Sequence, residues 1–274
     1  MASSMVVTVE EIAAEIGDGI MLAVPKDSSG PAMAVTREIL RRGVSGLHLV
    51  CVPVGGLQAE ILIGAGAVST IETSAVTLGE YGTAPRFSAA VREGRLRMLD
   101  ATCPAVYAGL QAAEKGIPFM PLRGLIGTDV LRNRSDWKLM ANPFAEGDPI
   151  VALPAIQPDV ALFHAPLADR DGNVFVGSKH ELMLMAHASK RTFVTAEEIT
   201  NRNLLDDPQR AAGVMPAIYV TAVAEARRGA APLQFWDAYP EDEKAMARYV
   251  AAAKTAAGFS QFLEEWLGAR RAAA

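Results

Sequence analysis

The sequence predicts an α/β fold built on a largely parallel sheet. Short apolar runs alternate with helical patterns along most of the chain, several of those runs are continuous as in strands buried on both faces, and the punctuation between them is Gly, Pro or a helix-capping residue. Val9 to Ile16 reads as a helix with Thr8 as its cap ahead of Glu11, stopped by Gly17-Asp18-Gly19 before the strand Ile20 to Val24. A loop from Pro25 to Pro31 leads into an amphipathic helix, Ala32 to Arg42, closed by Gly43, and then into the continuous apolar strand Gly46 to Val52. After the loop Pro53 to Gly56 come a helix Leu57 to Ala65, a strand Thr70 to Val76, a helix Ala84 to Glu93 and a short strand Leu96 to Leu99. The alternation continues with a helix Val106 to Lys115, a strand Asp159 to His164, a helix Glu181 to Ala188, a strand Arg191 to Val194 and closing helices. Between these lies a stretch rich in Pro and turn residues, Arg132 to Pro158, which reads as an irregular excursion around 132–158 rather than a linker.

Composition narrows the classes of function. The 274 residues leave room for one large domain or two small ones; with no internal repeat and no low-complexity tract, a single domain spanning 1–274 is the simplest expectation. Lys and Arg number 26 against 31 Asp and Glu, a formal charge of −5, with half of the residues hydrophobic. A mildly acidic chain with scattered charges lacks the basic stripe that neutralises phosphates, so nucleic acid is not an expected partner. No apolar run reaches the roughly 20 residues of a membrane-spanning helix, so no membrane is expected either. Met1 to Val7 leads straight to Glu10, Glu11 and Glu15 without a basic region or cleavage site, which points to the cytoplasm. Cys51 and Cys103 read as two reduced thiols, each most simply a small buried side chain.

In a parallel sheet, ligands bind beyond the carboxyl ends of the strands, which directs attention to three loops. The first, Pro25-Lys26-Asp27-Ser28-Ser29-Gly30-Pro31, places hydroxyls, a carboxylate and a glycine before a helix whose free N–H groups suit an anion or carbonyl; a plain helix cap explains it equally well. The second, Val54-Gly55-Gly56, lets a ligand approach the backbone. The third, Thr73 to Gly82, includes Thr77 and sets Glu80 between two glycines, making it the best intrinsic candidate for an acid, base or nucleophile, although most loop carboxylates are simply solvated. Gly64-x-Gly66 lacks the third glycine of the dinucleotide fingerprint and reads as a helix C-terminus. His180 and His187 share a helix face without further ligands at metal spacing, so no metal is expected, and no serine-nucleophile elbow or phosphate loop appears.

Several segments together resemble the A subunits of family I CoA-transferases of the glutaconate and 3-oxoacid type. They are Asp18-Gly19, the Asp27 to Met33 loop, Thr36 to Leu40, Gly46 to Val50, Leu62 to Gly66 with Val68, and Gly82 to Phe87. The most specific are Gly116 to Asp129 and Pro158 to Ala165 followed by Ala168-Asp169-x-x-Gly172-Asn173. Pro118 and Pro121 bracket an extended segment that presents Arg123, and Asp171-Gly172-Asn173 is a tight turn.

The resemblance implies a three-layer α/β/α fold like that of the sugar-phosphate isomerase and CoA-transferase group. It implies that the chain helps to move CoA between an acyl-CoA and a carboxylic acid, through a glutamyl-CoA thioester intermediate on a B subunit. CoA is then a substrate, no cofactor is held, the nucleophilic glutamate belongs to B, and an A2B2 assembly is the family expectation. On that basis Asp27, Ser28, Ser29, Gly55, Gly56, Thr77 and Glu80 are assigned to the acyl and CoA cleft, with Glu80 and Asp100 as weak catalytic candidates and Arg123 and Asp129 as structural or boundary residues. Two departures stand out. Leu99-Asp100-Ala101 replaces the Glu-aromatic pair found after this strand in many such subunits, including a ring-cleaving hydrolase branch, and the usual glycine-rich first loop is here Lys26-Asp27-Ser28-Ser29-Gly30, which implies a more polar acyl pocket and a substrate with a second polar group. The alternative is a CoA-ester or ring-opening hydrolase on the same scaffold. A sugar-phosphate sensor of the same fold group is disfavoured because neither terminus offers a DNA-binding helix-turn-helix.

Overall fold

The structure, a computed structural model, describes residues 5–268; the ends of the expected 1–274 span, residues 1–4 and 269–274, lie outside the described residues. The elements follow in order as β1 (Val6–Val7), α1 (Val9–Ala14), β2 (Met21–Pro25), α2 (Met33–Arg41), β3 (Leu47–Val52), α3 (Leu57–Gly64), β4 (Val68–Thr73), α4 (Pro85–Arg92) and β5 (Arg97–Asp100). After them come α5 (Cys103–Glu114), β6 (Phe119–Leu122), α6 (Asp129–Asn133), β7 (Lys138–Met140), β8 (Ile150–Pro154), β9 (Val160–Asp169), β10 (Val174–Phe175) and α7 (His180–Ala188). The chain closes with β11 (Arg191–Thr200), β12 (Val214–Met215), β13 (Ala222–Glu225), α8 (Glu243–Ala253) and α9 (Ala256–Leu267).

The main sheet runs β1-β13-β11-β9-β2-β3-β4-β5 with every neighbouring pair parallel, and only β10 and β12 join it antiparallel. Alternate residues of each strand feed opposite faces. Leu22, Val24, Leu49, Cys51 and Leu162 pack with α1, α2, α3, α8 and α9, whereas Ala23, Val50, Val52, Ala161 and Phe163 pack with α5 and α7. The result is a sheet between two helical layers, as the resemblance implies. Helix α3 is the extreme case: seven of its eight residues are buried, Leu57 to Ile63, and each of its two polar side chains finds a partner, although Gln58 Oε1 has none among the described residues. Gln58 Nε2 donates to Thr36 Oγ1 at 2.8 Å, and Glu60 accepts from the N–H groups of Arg86 and Phe87, both at 2.7 Å, at the start of α4.

Boundaries shift where tertiary contacts outcompete local pattern. The strand expected to reach Val76 stops at Thr73, because the next residues turn to the neighbouring loop: Ser74 N–H donates to Pro53 O and Thr77 N–H to Gly55 O. The strands expected to end at His164 and Val194 run on to Asp169 and Thr200, paired along most of their length from Arg191 opposite Val160 to Thr200 opposite Asp169. The helix expected from Val106 starts at Cys103, capped by Thr102 and with Pro104 in its first turn, where proline loses nothing. The capping box of Thr8 and Glu11 is present, and Gly64 and Gly66 do end a helix. The segment 132–158 corrects the expectation of an irregular excursion: β7 and β8 lie within it and pair antiparallel with each other, and β8 pairs in the same way with β6, in a separate three-stranded sheet. Its short strands, interrupted by Pro143 and Pro149, carry too little periodicity to be read locally. This lobe exposes Phe144 and Leu139, which are 95% and 57% accessible.

Candidate active site

The strand order reverses direction between β2 and β9: β3, β4 and β5 lie to one side of β2, and β9, β11, β13 and β1 to the other. In an open parallel sheet this switch point opens a crevice at the carboxyl ends. The loop after β2 lies there. It forms a single 3₁₀ turn, Asp27–Ser29, ended by Gly30 at φ +94°, and is fastened to β9 by a hydrogen bond from His164 N–H to Gly30 O at 2.7 Å. A Cβ at residue 30 would strike the His164 carbonyl and the Phe235 ring, so only glycine closes this turn.

Asp27 reaches across to the start of α3. Both carboxyl oxygens lie 3.0 Å from Leu57 N, so the side chain takes up one of the free N–H groups of that helix. Gly56 makes room for it: a Cβ there would fall within the Asp27 carboxyl group. The remaining open side of Asp27 faces a cavity of about 490 Å³ shared with Ser28, Ser178, Lys179, Trp236 and Glu241. Burial pushes the Asp27 carboxyl up to about 7, with Glu241 adding to the rise and the Leu57 N–H opposing it. On the opposite side of the loop the buried Ser29 hydroxyl donates to Glu181 Oε1 at 2.5 Å, and Lys26 pairs with the same carboxylate at 3.2 Å.

The cavity's far wall comes from the segment after β13. Trp236 sits at φ +46°, a left-handed position that costs a bulky residue on the order of 1–3 kcal/mol and persists only where its surroundings fix it. Its buried Nε1 has no hydrogen-bond partner among the described residues. Beneath this segment buried His164 and half-buried Glu197 pair at 2.8 Å. A carboxylate only accepts, so His164 Nε2–H donates to Glu197 and Nδ1 accepts from the Thr195 hydroxyl at 2.8 Å. Burial lowers the His164 pKa and keeps the ring neutral, while Glu197 also accepts the backbone N–H groups of Arg228 and Gly229 and thereby anchors the loop.

The residues assigned from the sequence are therefore only partly gathered. Asp27 and Ser28 line the cavity, Gly56 seats Asp27, and Gly55 links to Thr77 through the backbone. Thr77 donates its hydroxyl to Gly82 O, and Glu80 is exposed on the turn Gly79–Tyr81, whose Tyr81 hydroxyl donates to Glu241 at 2.6 Å. Asp100 ends β5 half-buried, with its carbonyl accepting from Arg134. Arg123 pairs with Asp148 and Asp129 with Arg132 on the surface. Cys51 is buried and its thiol pushed up to about 12, and Cys103 Sγ lies 3.2 Å from Ser74 Oγ; both are free. His180 is exposed and His187 stacks on Tyr219, and no cluster of metal-ligand type occurs among the described residues. Sequence reasoning missed Lys179, Glu181, Trp236, Glu241 and the His164–Glu197 pair. The signal for the last was a histidine inside the apolar run Val160 to Ala165, a polar group that demands a partner.

Comparison with known proteins places this geometry. A family model described as Coenzyme A transferase matches residues 6–226. The chain is 32% identical over 269 residues to the A subunit of glutaconate CoA-transferase from Acidaminococcus fermentans, covering 92% of this chain and 83% of that protein. The crystal structure of glutaconate coenzyme A-transferase from the same organism superposes with a TM-score of 0.86 at 29% identity, over 96% of this chain and 89% of the other. The chain is also 29% identical to the A subunit of 3-oxoadipate CoA-transferase from Pseudomonas knackmussii, with 92% and 89% covered. A further relative, at 28% identity and 95% and 91% coverage, is the IpdA subunit of a cholesterol ring-cleaving hydrolase from Rhodococcus jostii.

Proposed function

The chain belongs to the coenzyme A transferase family, and from that premise we propose that it works as the A subunit of a heteromeric enzyme moving CoA from an acyl-CoA to a carboxylic acid. The observation that supports the reading most is the likeness, in sequence and in fold, to a glutaconate CoA-transferase A subunit over more than nine-tenths of the chain. The partner is a B subunit, and we assign the assembly as A2B2, the location as cytoplasmic and the described residues to one domain with the small antiparallel lobe as its elaboration. Among the described residues no helix is long and apolar enough to cross a membrane.

The nucleophile is assigned to a glutamate of B. Its carboxylate attacks the thioester carbonyl and expels CoA as thiolate, leaving an anhydride; the thiolate then attacks the glutamyl carbonyl, releasing the first acid and forming a glutamyl-CoA thioester. The second acid repeats these steps in reverse. This chain contributes the acyl side of the crevice: Asp27, Ser28, Ser29, Gly55 and Gly56 at the switch point, with Thr77 and Glu80 on the adjoining loop. Glu80 and Asp100 are kept as residues whose removal tests whether this chain takes part in the chemistry. CoA is the substrate, and no resident cofactor is assigned.

The complex of this chain with its B subunit, given an acyl-CoA and acetate or succinate, is expected to exchange CoA, and borohydride is expected to trap a glutamyl thioester on B. Release of free CoA without exchange would instead support hydrolysis of the CoA ester, whereas ring opening, the activity named for the ring-cleaving relative, would consume water without releasing CoA. Loss of turnover in Asp100→Ala but not Glu80→Ala would point the same way.

A further inference from the structure

We propose that Asp27 is a specificity-determining residue that donates a hydrogen bond to a neutral oxygen, hydroxyl or keto, on the acyl chain, so that the preferred substrates are hydroxy- or keto-acyl-CoAs. The proposal rests on the acyl-pocket reading above and deepens it.

The geometry begins with the seat of the carboxyl. Asp27 is held between Leu57 N–H and the glycine at position 56, which fixes its position before any ligand arrives. Its open side faces the cavity. No cation among the described residues is hydrogen-bonded to it, in contrast to Glu181 across the loop, which has Lys26. The groups around it disfavour its charge. Glu241 and Asp237 bring negative charge across the cavity, Lys179 is the single cation among the described lining residues, and the Cys51 thiol behind it on β3 stays neutral. With its pKa near 7, the carboxyl carries a proton below about that pH; both of its oxygens lie 3.0 Å from Leu57 N, but a carboxylic acid needs only one of them to accept that N–H and can turn the O–H of the other to the cavity.

The same charges decide what the cavity rejects. A dicarboxylic acyl group would place its free carboxylate among Glu241, Asp237 and Asp27 with one lysine to offset them, whereas a hydroxyl or keto oxygen accepts from Asp27 without adding charge. A site built to hydrogen-bond a substrate oxygen discriminates strongly against the analogue lacking it, because the buried group is left unpaired.

The test uses the A–B complex and compares 3-oxobutyryl-CoA, butyryl-CoA and glutaryl-CoA as donors. The wild type is expected to favour 3-oxobutyryl-CoA, whose keto oxygen can only accept, over both by about tenfold or more in kcat/KM at pH 6, a margin typical of one well-placed hydrogen bond. That preference should fade as pH rises through about 7. Asp27→Ala should bring the ratio over butyryl-CoA close to one. Asp27→Asn, which keeps a donor and cannot ionise, should retain the preference and lose its pH dependence. An unchanged ratio in Asp27→Ala, or an unchanged fall through pH 7 in Asp27→Asn, would overturn the proposal while leaving CoA transfer intact. If the complex transfers CoA from no donor, the transfer reading fails; Asp27 is then judged by equilibrium binding of 3-oxobutyryl-CoA against butyryl-CoA. There a ratio that falls in Asp27→Ala supports the proposal, and an unchanged one refutes it.

Discussion

Glu72 in the central sheet and Asp27 in the turn just beyond it are both carboxylates that burial pushes upward in pKa, yet the fold treats them in opposite ways. Glu72 on β4 is sealed, 4% exposed, and meets Arg134 at 2.7 Å. That guanidinium also forks onto Asp136, donates to the carbonyls of Leu99 and Asp100 and stacks on Trp137 at 4.2 Å, so its donors are well used. Asp27 at the end of β2 receives one backbone N–H and opens on a cavity. A buried carboxylate with a full set of partners serves the fold. One given a single weak partner and an open face has its charge left adjustable, which is the arrangement chemistry requires.

The largest effect should come from the sealed side. Arg134→Met leaves Glu72 buried without its cation and should cost about 3–5 kcal/mol in denaturant unfolding, whereas adding Glu72→Leu should recover most of the loss. Equal losses in the single and double variants would mean that the pair is not the unit. On the open side, Gly56→Ala should cost about 1–3 kcal/mol by driving Asp27 from its seat, and far less in an Asp27→Ala background, so a double-mutant cycle reads their contact directly. Asp27→Asn comes next, and its sign depends on pH. Because the folded pKa is raised from 3.8 to about 7, the stability associated with the neutral acid is complete below the lower value and is lost as pH rises through the upper one. The variant, which loses nothing, should match the wild type near pH 4 and exceed it by roughly 1–2 kcal/mol at pH 8, a figure reduced for the exposure of Asp27 to the cavity. Thermal melts across that range decide it. The smallest change is expected of Lys26→Ala, because the pair with Glu181 is partly solvated; a loss above about 1 kcal/mol would show that it braces the loop.

Much of the frame was legible in the chain. The continuous apolar runs located β2 and β3, the Thr8–Glu11 spacing located α1, and the glycines at 64 and 66 marked the end of α3. Rules of that kind concern neighbours in sequence. The strand extensions to Asp169 and Thr200 escaped notice because Pro166, Glu197 and Glu198 look like terminators, and only the pairing of β9 with β11 carries the backbone past them. The lobe of β6, β7 and β8 escaped for a related reason: three short strands separated in sequence are stabilised by one another and not by local propensity. Of the site, the loop 25–31 stood out by composition, but its partners Lys179, Trp236 and Glu241 lie far on in the chain and carry no local mark.

Local sequence was enough to set the alternation of strands and helices, the largely parallel sheet and the polar composition of the loop after β2, because periodicity and turn chemistry are properties of adjacent residues. The difference in kind between Asp27 and Glu72, both plain acidic residues in a string of letters, arises from folding alone. The ionisation of a carboxyl is set by what surrounds it in space, and residues 56, 57 and 241 meet Asp27, as Arg134 meets Glu72, only once the sheet has formed.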